Sequence, residues 1–185
     1  VQKVLEVKAD WKITPDGAVS VKMQVERDLE FPMLPRFGLR LFLDKEFTDV
    51  TYSGIGPAES YVDKRHAGYH GVFQTAVEDM YEDYLRPQEN GSHTDCDYVK
   101  LSGKDQSIYA VSAQTFSFNA SVYTQEELTK KAHSYELEHC GSTVLCLDYA
   151  QNGIGSNSCG PELSKKYRLD QENFGFDMKL VFQKK

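Results

Sequence analysis

The sequence predicts an all-β fold of antiparallel strands, because apolar and polar residues alternate in short segments that turn residues separate. The clearest alternation runs from Leu5 to Ile13, where the apolar residues occupy odd positions. It resumes between Val19 and Val25 after the turn sequence at residues 14–17, which predicts a β-hairpin with one buried face. The same reasoning predicts strands at residues 38–43, 49–52, 107–118, 134–138, 143–148 and 175–182.

One segment predicts a short helix on the surface. Thr124 and Glu127 have the spacing of a capping box, in which the threonine hydroxyl accepts from a first-turn amide and the glutamate reaches back to the cap. The helix is expected to run to about His133. Since no linker or internal repeat divides the sequence, we predict a single β-sandwich domain over residues 1–185.

The composition argues against two classes of partner. The formal net charge is −7 and the basic residues are dispersed, so the sequence does not offer the cationic surface that nucleic acid requires. The longest apolar runs are only a few residues, whereas a membrane-spanning helix needs about 20. The four cysteines lack C-x-x-C spacing, and we expect reduced thiols that are mostly buried.

Three patterns suggest chemistry, but each lacks a group that the chemistry needs. His66 and His70 have the spacing of two metal ligands on a helix, yet the segment does not read as helical, so no metal site is predicted. The carboxylates within residues 77–84 share one environment, which favours a solvated acidic loop over a glycosidase pair. Cys159 has no neighbouring histidine to activate its thiol.

Two glycine-rich signatures far apart in the sequence are its most informative feature. One includes Gly54-Ile-Gly56-Pro57 and continues to Arg65, and the other runs from Asn152 through Gly153-Ile-Gly155 to Pro161. Their glycine and proline content predicts loops with unusual backbone paths. Neither has the spacing of a nucleotide-binding loop.

Together with three further motifs, these signatures carry a resemblance to a known family. The five segments, in chain order, are Leu34-Pro-Arg36-Phe-Gly38, Gly56-Pro-Ala-Glu59-Ser-Tyr61-Val-Asp63-Lys-Arg65, Tyr84-Leu-Arg-Pro87-Gln-Glu89-Asn-Gly91, Phe118-Asn119-Ala-Ser121-Val-Tyr123 and Gly153-Ile-Gly155 with the residues up to Pro161. In this order they resemble the C-terminal domain of large bacterial β-galactosidases, also called the β-galactosidase small chain. The match extends from Pro35 to the last predicted strand.

The resemblance implies a β-supersandwich of the galactose mutarotase-like kind, without catalytic residues of its own. In that family the domain packs beside a TIM barrel that carries both catalytic glutamates of a retaining β-galactosidase. The expected partners are therefore the barrel domain, the galactoside indirectly and further copies in a homo-oligomer. Any Mg or Na is expected in the catalytic domain, and the enzyme in the cytoplasm. The family's domain is longer at its N-terminal end, so we expect a fragment of a larger chain.

The resemblance also assigns site residues. The late glycine loop is expected to reach the mouth of the barrel's active site, which gives Asn157, Ser158 and Cys159 as substrate-contacting residues. Many relatives place a tryptophan there, and Cys159 stands in its position, so aromatic stacking is lost. A structural set comprises Arg36, Glu59, Tyr61, Asp63, Arg65 and Glu89. We expect Glu59, Asp63 and Arg65 to form one charged cluster that fixes the Gly56-Pro57 turn.

Two other functions stay open at the level of sequence. A free-standing aldose 1-epimerase would need an acid and a base, for which Glu59 or Glu89 with His66 or His70 are the candidates. A carbohydrate-binding module would use a cluster of exposed tyrosines, namely Tyr52, Tyr61, Tyr69, Tyr81 and Tyr84. Packing at the core or rim of a sandwich is the simpler interpretation of each tyrosine.

Overall fold

The structure, a computed structural model, describes residues 2–156 and 159–184, and it confirms an all-β antiparallel fold with one short α-helix. Within these residues the strands are β1 (Leu5–Ile13), β2 (Ala18–Arg27), β3 (Arg36–Asp44), β4 (Asp49–Gly56), β5 (Tyr69–Ala76), β6 (Ser92–Ser102), β7 (Gln106–Ser121), β8 (Ser142–Gln151) and β9 (Asn173–Lys184). The helix α1 covers Gln125–Lys130, and short 3-10 turns lie at Glu78–Met80, Ser134–Glu136 and Lys165–Tyr167.

The long strand β7 belongs to both layers of the sandwich. Residues 106–111 pair with β9, whereas residues 117–121 pair with β8, and β3 pairs with the far edge of β8. The larger layer has the strand order β1-β2-β9-β7-β6-β4-β5. Side chains from both layers meet in one buried cluster, which includes Val99, Phe118, Leu145, Leu147 and Met178. Sharing one strand in this way lets a single sheet curl over its own core.

The N-terminal hairpin forms as predicted, but only one of its strands is buried. Gly17, with φ of 83°, donates to the carbonyl of Thr14 at 3.0 Å and closes the turn. On β2, Val21 is 2% exposed, whereas on β1 Trp11 is 56% and Ile13 is 76% exposed. The prediction of a buried face was therefore wrong for β1, because β1 is an edge strand whose apolar face extends beyond the core.

Most of the other strand predictions are confirmed, and one is wrong. The segments predicted at 38–43, 49–52, 107–118, 143–148 and 175–182 lie within β3, β4, β7, β8 and β9. The segment 134–138 instead contains a 3-10 turn, because the Glu136 carboxylate accepts from the amides of Ala132 and His133 at 2.9 Å each. The prediction missed β5 and β6, and β6 lacks clean alternation because its register shifts twice against β7.

The helix begins as predicted and ends earlier. The Thr124 hydroxyl accepts from the amide of Glu127 at 3.1 Å. The Glu127 carboxylate does not complete the box, since it accepts from the amide of Glu138 at 3.0 Å instead. The helix ends at Lys130, because the backbone becomes extended at Lys131, and Leu128 is its buried contact.

The cysteines are free thiols, as expected, but only half of them are buried. Cys96 and Cys146 lie in the interior, whereas Cys140 and Cys159 are exposed. Among the described residues, no helix has the length and apolar character needed to cross a bilayer.

Arg27, at the end of β2, is a buried cation whose bonds go to backbone carbonyls. It is 6% exposed. Its guanidinium donates to the carbonyls of Phe31 at 2.8 Å, Pro32 at 3.3 Å, Asp170 at 2.7 Å and Gln171 at 3.3 Å. Because four carbonyls of two loops converge on one group, Arg27 fixes the entry to β3 and the entry to β9 together.

Replacing the Arg27 guanidinium should lower the stability of the fold. We expect Arg27→Met to lower the free energy of unfolding by about 3 kcal/mol, because it leaves buried carbonyls without a donor. The matched control is Arg40→Met, which removes a surface pair with Glu126 and should cost less than about 1 kcal/mol. Urea unfolding of both variants measures the difference. Equal losses would contradict the structural role of Arg27.

Candidate functional site

The two glycine-rich signatures, remote in sequence, contact each other through one side chain. Asp63 lies in the loop between β4 and β5, here called the early loop (residues 57–68). Its carboxylate accepts from the amides of Ile154 at 3.0 Å, Gly155 at 3.1 Å and Ser156 at 2.9 Å, and from the Ser156 hydroxyl at 2.7 Å. We call this contact the Asp63 clamp, and residues 152–161 the late loop.

The clamp favours a charged carboxylate and requires a glycine beside it. Partial burial of Asp63 disfavours its charged form, but the bonds from Ser156 and the neighbouring amides outweigh this and hold the pKa of the carboxyl below its usual value. Asp63 is therefore ionised at neutral pH. A Cβ at position 153 would overlap the Asp63 carboxylate, so a glycine is needed for the late loop to approach this closely.

A second carboxylate, Glu59, anchors the early loop near its start. Glu59 is 4% exposed and accepts from the amide of Gly91 at 2.6 Å and from the Lys64 ammonium at 2.6 Å. The Tyr84 hydroxyl also donates to it. Gly91 has φ of 70°, and a Cβ there would lie 2.5 Å from the carbonyl oxygen of Met80. Glu59 thus binds the early loop to the segment that precedes β6.

A third anchor holds the end of the early loop to β6. Arg65 pairs with Asp95, a residue with φ of 52° on β6. Between the anchors, Tyr61 is 1% exposed, and its hydroxyl accepts from the amide of Ser92 at 3.4 Å. Burial raises the pKa of Tyr61, so its hydroxyl stays neutral.

The expected single cluster of Glu59, Asp63 and Arg65 is therefore three separate anchors. Each side chain contacts a different segment: the one before β6, the late loop and β6 itself. The reason is geometric, since successive residues of an irregular loop point in different directions. The anchors constrain the early loop that follows the cis Gly56-Pro57 peptide.

Arg36 joins two carboxyl groups at the entry to β3. It donates to Asp148 at 2.5 Å and lies 3.1 Å from a Glu89 carboxylate oxygen. Burial raises the pKa of Asp148 to about 6 and also raises the pKa of Glu89, although Arg36 opposes both shifts. A Cβ at Gly38 would lie 2.5 Å from the Asp148 carboxylate. This group ties β3 to β8 and to the segment before β6.

Of the residues predicted to contact substrate, the structure describes Cys159. Cys159 is exposed. Asn157 and Ser158 lie outside the described residues. At the base of the loop, the Asn152 amide donates to the carbonyl of Pro35 at 2.9 Å, and its side chain accepts from the amide of Leu169 at 3.0 Å. These hydrogen bonds of Asn152 fix the base of the late loop.

A recess of about 440 Å³ lies beside the clamped loop. Its surface is mainly apolar, with Pro32, Met33 and Leu163 in the lining, and its polar lining residues are Asn152, Ser156, Glu162, Arg168 and Asp170. Arg168 donates to Glu162 at 2.7 Å and to the carbonyl of Leu163 at 2.7 Å. Arg168 is thus engaged within the recess itself.

The remaining sequence candidates do not assemble into a site. Among the described residues, no group of three or more His, Cys, Asp or Glu side chains has the geometry of a metal site. His70 pairs with Asp97 at 3.3 Å on the outer strand β5. The four acids between 77 and 84 are exposed, as predicted. Tyr52 and Tyr61 are buried, whereas Tyr69 is 65% exposed, so the tyrosines do not share one surface.

Sequence reasoning missed Asp148, Lys64, Tyr84 and Asp95 as partners. A signal existed for Asp148, because a charged residue directly after the apolar run 144–147 implies a buried carboxylate that needs a cation. The other three lie in loops or at a bulged strand, where the pattern of apolar residues does not indicate which way a side chain points.

Comparison with known proteins shows the family of this chain. The family model described as beta galactosidase small chain matches residues 1–180. This chain belongs to that family. The small chain is 46% identical to a β-galactosidase from Actinobacillus pleuropneumoniae over 98% of its length, 44% identical to one from Staphylococcus xylosus over 98%, and 32% identical to one from Lactococcus lactis over 91%. It spans 17–18% of the length of these relatives.

The backbone at the Glu59 anchor of the small chain can be tested with two glycines of similar φ. Gly141 has φ of 78°, and no atom lies within 4 Å of the position that a Cβ would take there, so Gly141→Ala should cost only about 1 kcal/mol of backbone strain. Gly91→Ala adds a clash with the Met80 carbonyl and displaces the amide that Glu59 binds. We expect it to cost at least about 2 kcal/mol more. Thermal or urea unfolding compares them, and equal costs would contradict a tight Glu59 anchor.

Proposed function

We propose that this small chain is a non-catalytic part of a β-galactosidase that hydrolyses terminal β-D-galactosides with retention of configuration. In this proposal it packs beside a catalytic barrel domain, supports a homo-oligomeric assembly and presents the late loop to the galactoside. Support comes from the family to which the chain belongs and from relatives that are named β-galactosidases. Since the chain spans 18% of the first two relatives, most of such an enzyme lies elsewhere.

The state of the buried carboxyls supports a reaction centre outside this chain. A retaining glycosidase needs two carboxyl groups about 5–5.5 Å apart on either side of a sugar, with different pKa values. Glu59 is bound by Lys64, and Glu89 and Asp148 share Arg36. Groups engaged in this way hold segments together and are not free to meet a substrate.

The Asp63 clamp is the observation that supports the proposed role of the late loop. A glycine-rich loop that is mobile must lose backbone entropy when it binds a ligand, and this loss weakens binding. Four hydrogen bonds to Asp63 order residues 154–156 in advance. We propose that residues 157–159, which follow the ordered segment in sequence, contact sugar hydroxyls by hydrogen bonding, since Cys159 offers no ring for stacking.

The first test uses the chain alone. We expect no hydrolysis of an aryl β-galactoside and no acceleration of galactose mutarotation, because the acids that could act are bound by cations. The assays follow release of the aryl alcohol and the change in optical rotation. Turnover or mutarotation that Glu59→Gln or Glu89→Gln abolishes would overturn the proposal and favour an enzyme in its own right.

The second test examines the clamp in the whole β-galactosidase. In Asp63→Asn the position of Oδ2 can become an NH2 group, which cannot accept from Gly155 and Ser156. We expect KM for the galactoside to rise about fivefold, which corresponds to about 1 kcal/mol of lost preorganisation. The melting temperature should change little, because the clamp lies at the surface.

The matched control is Asp95→Asn, which weakens the pair with Arg65 in the same early loop but leaves the clamp intact. Asparagine also tolerates the positive φ at this position. We expect KM to stay near the wild-type value in this variant. An unchanged KM in Asp63→Asn, or an equal rise in both variants, would rule out a specific role of the clamp.

A further inference from the structure

Two buried oxygen atoms on neighbouring side chains lack a hydrogen-bond donor. They are Glu89 Oε1, in the segment before β6, and Gln151 Oε1, at the end of β8, and neither has a partner within residues 2–156 and 159–184. The two side chains lie close enough for the Gln151 amide to influence the Glu89 carboxyl. Because a buried acceptor without a donor costs free energy, this pair of oxygens requires a physical explanation.

Arg36 does not supply the missing donor. Its Nε and Nη2 donate to the Asp148 carboxylate, at 3.3 Å and 2.5 Å. Its Nη1 lies 3.1 Å from Glu89 Oε1, but the N–H is not aligned with that oxygen, so this contact is one of charge alone. One guanidinium thus serves two carboxylates, and it binds Asp148 more closely than Glu89.

The charges around Glu89 leave one negative charge in excess. Arg36 balances only one of its two carboxylates. Glu59 also faces Glu89, and the cation of Glu59, Lys64, lies 2.6 Å from it and is already paired. The other titratable groups near Glu89 are neutral at physiological pH because burial raises the pKa of each, and they are Tyr61 and Cys146. Among the described residues, this group therefore has one carboxylate more than it has cations.

We propose that Glu89 binds a proton and, through it, donates a hydrogen bond to Gln151 Oε1, which fastens the segment before β6 to the end of β8. A protonated carboxyl has one O–H donor, and an amide oxygen accepts. One proton therefore satisfies both oxygens and removes the excess charge. A group from outside cannot take its place, since this chain itself buries both oxygens. We call this contact the Glu89 latch.

The electrostatics favour the proton on Glu89. Burial raises the pKa of Glu89 and the Glu59 charge adds to this, although Arg36 and Gln151 oppose the shift. Burial also raises the pKa of Asp148, to about 6, but two N–H groups of Arg36 bind that carboxylate in its charged form. A carboxyl with a raised pKa in the folded state stabilises the fold most below its unfolded pKa. This contribution is lost as the pH rises through the folded pKa.

The latch connects the two loops of the candidate site. Glu89 lies two residues before Gly91, whose amide binds Glu59 of the early loop at 2.6 Å. Gln151 directly precedes Asn152, which holds the base of the late loop. With the proton in place, the Glu59 anchor and the base of the late loop are joined. Without it, Glu89 repels the Glu59 carboxylate, and the joint is weakened.

The first measurement is a pH titration of the 185-residue chain, followed by carbon-13 NMR of its side-chain carboxyls. We expect Glu89 to titrate above the ordinary value of a glutamate. The backbone amides of Gly91 and Asn152 should shift with the same midpoint, since the latch joins their segments. Glu126 is the internal control, because the bond from Arg40 lowers its pKa and places its titration below the ordinary value.

The second measurement compares melting temperatures of variants with those of the wild type. Glu89→Gln is neutral at every pH, so its melting temperature relative to the wild type should rise by about 3 °C between about pH 5 and about pH 8. Glu126→Gln makes the same change of net charge on the exposed helix, and its difference from the wild type should stay constant over this range.

A third variant, Asp148→Asn, tests the shared cation. It leaves the Arg36 guanidinium to Glu89 alone, so the Glu89 midpoint should fall towards the ordinary value. Circular dichroism establishes that each variant is folded before the comparison. The melting comparison can be repeated in the whole protein, where it does not depend on the chain folding by itself.

Several results would overturn the proposal. A Glu89 midpoint at or below the ordinary value would show that another donor, such as a buried water, satisfies its oxygen. A raised midpoint on Asp148 alone would place the proton on the wrong carboxyl. An Asn152 amide that does not follow Glu89 would remove the link to the late loop. Equal pH trends in Glu89→Gln and Glu126→Gln, or a Glu89 midpoint that Asp148→Asn leaves unchanged, would contradict it as well.

Discussion

The Asp63 carboxylate joins the two glycine-rich loops, and the arrangement of the candidate site depends on it. One oxygen, Oδ2, accepts from Gly155 and from both donors of Ser156, so a shift of the late loop breaks three hydrogen bonds at once. The early loop holds Asp63 in place because Glu59 and Arg65 anchor it on either side. Glycine at position 153 then lets the two backbones approach.

The buried charged side chains of the described residues connect segments, which supports the proposal that the reaction takes place outside this chain. Arg36 serves two carboxyl groups at once, and burial raises the pKa of both of them. Arg27 gathers carbonyls from two loops and so orders the approach to β3 and β9. Because these charged side chains are bound by groups of the same chain, they fix the shape of a surface and make it more rigid. A β-galactosidase would then take its reacting carboxyls from the domain beside that surface.

The strands with regular alternation could be predicted, and those without it could not. β2 and β9 each place one apolar face against the core, so period-two patterning located them, whereas residues 143–148 of β8 are all buried and its apolar run 144–147 indicated the strand. β6 carries Asp95 at positive φ and shifts its register twice, which removes the pattern. The exposure of β1 could not be predicted from the sequence either. Alternation indicates which side chains share a face, but not whether another layer covers that face.

For the site, the sequence by itself determined the family, the two loops and the identity of the anchoring residues. Only the tertiary structure decided their partners. Glu59, Asp63 and Arg65 are close in sequence, yet they bind Gly91, Ser156 and Asp95 in three different segments. The physical reason is that hydrogen bonds act over about 3 Å, whereas loop residues reach their partners only after strand order has brought distant segments together. Spacing in the chain carries no information about that order.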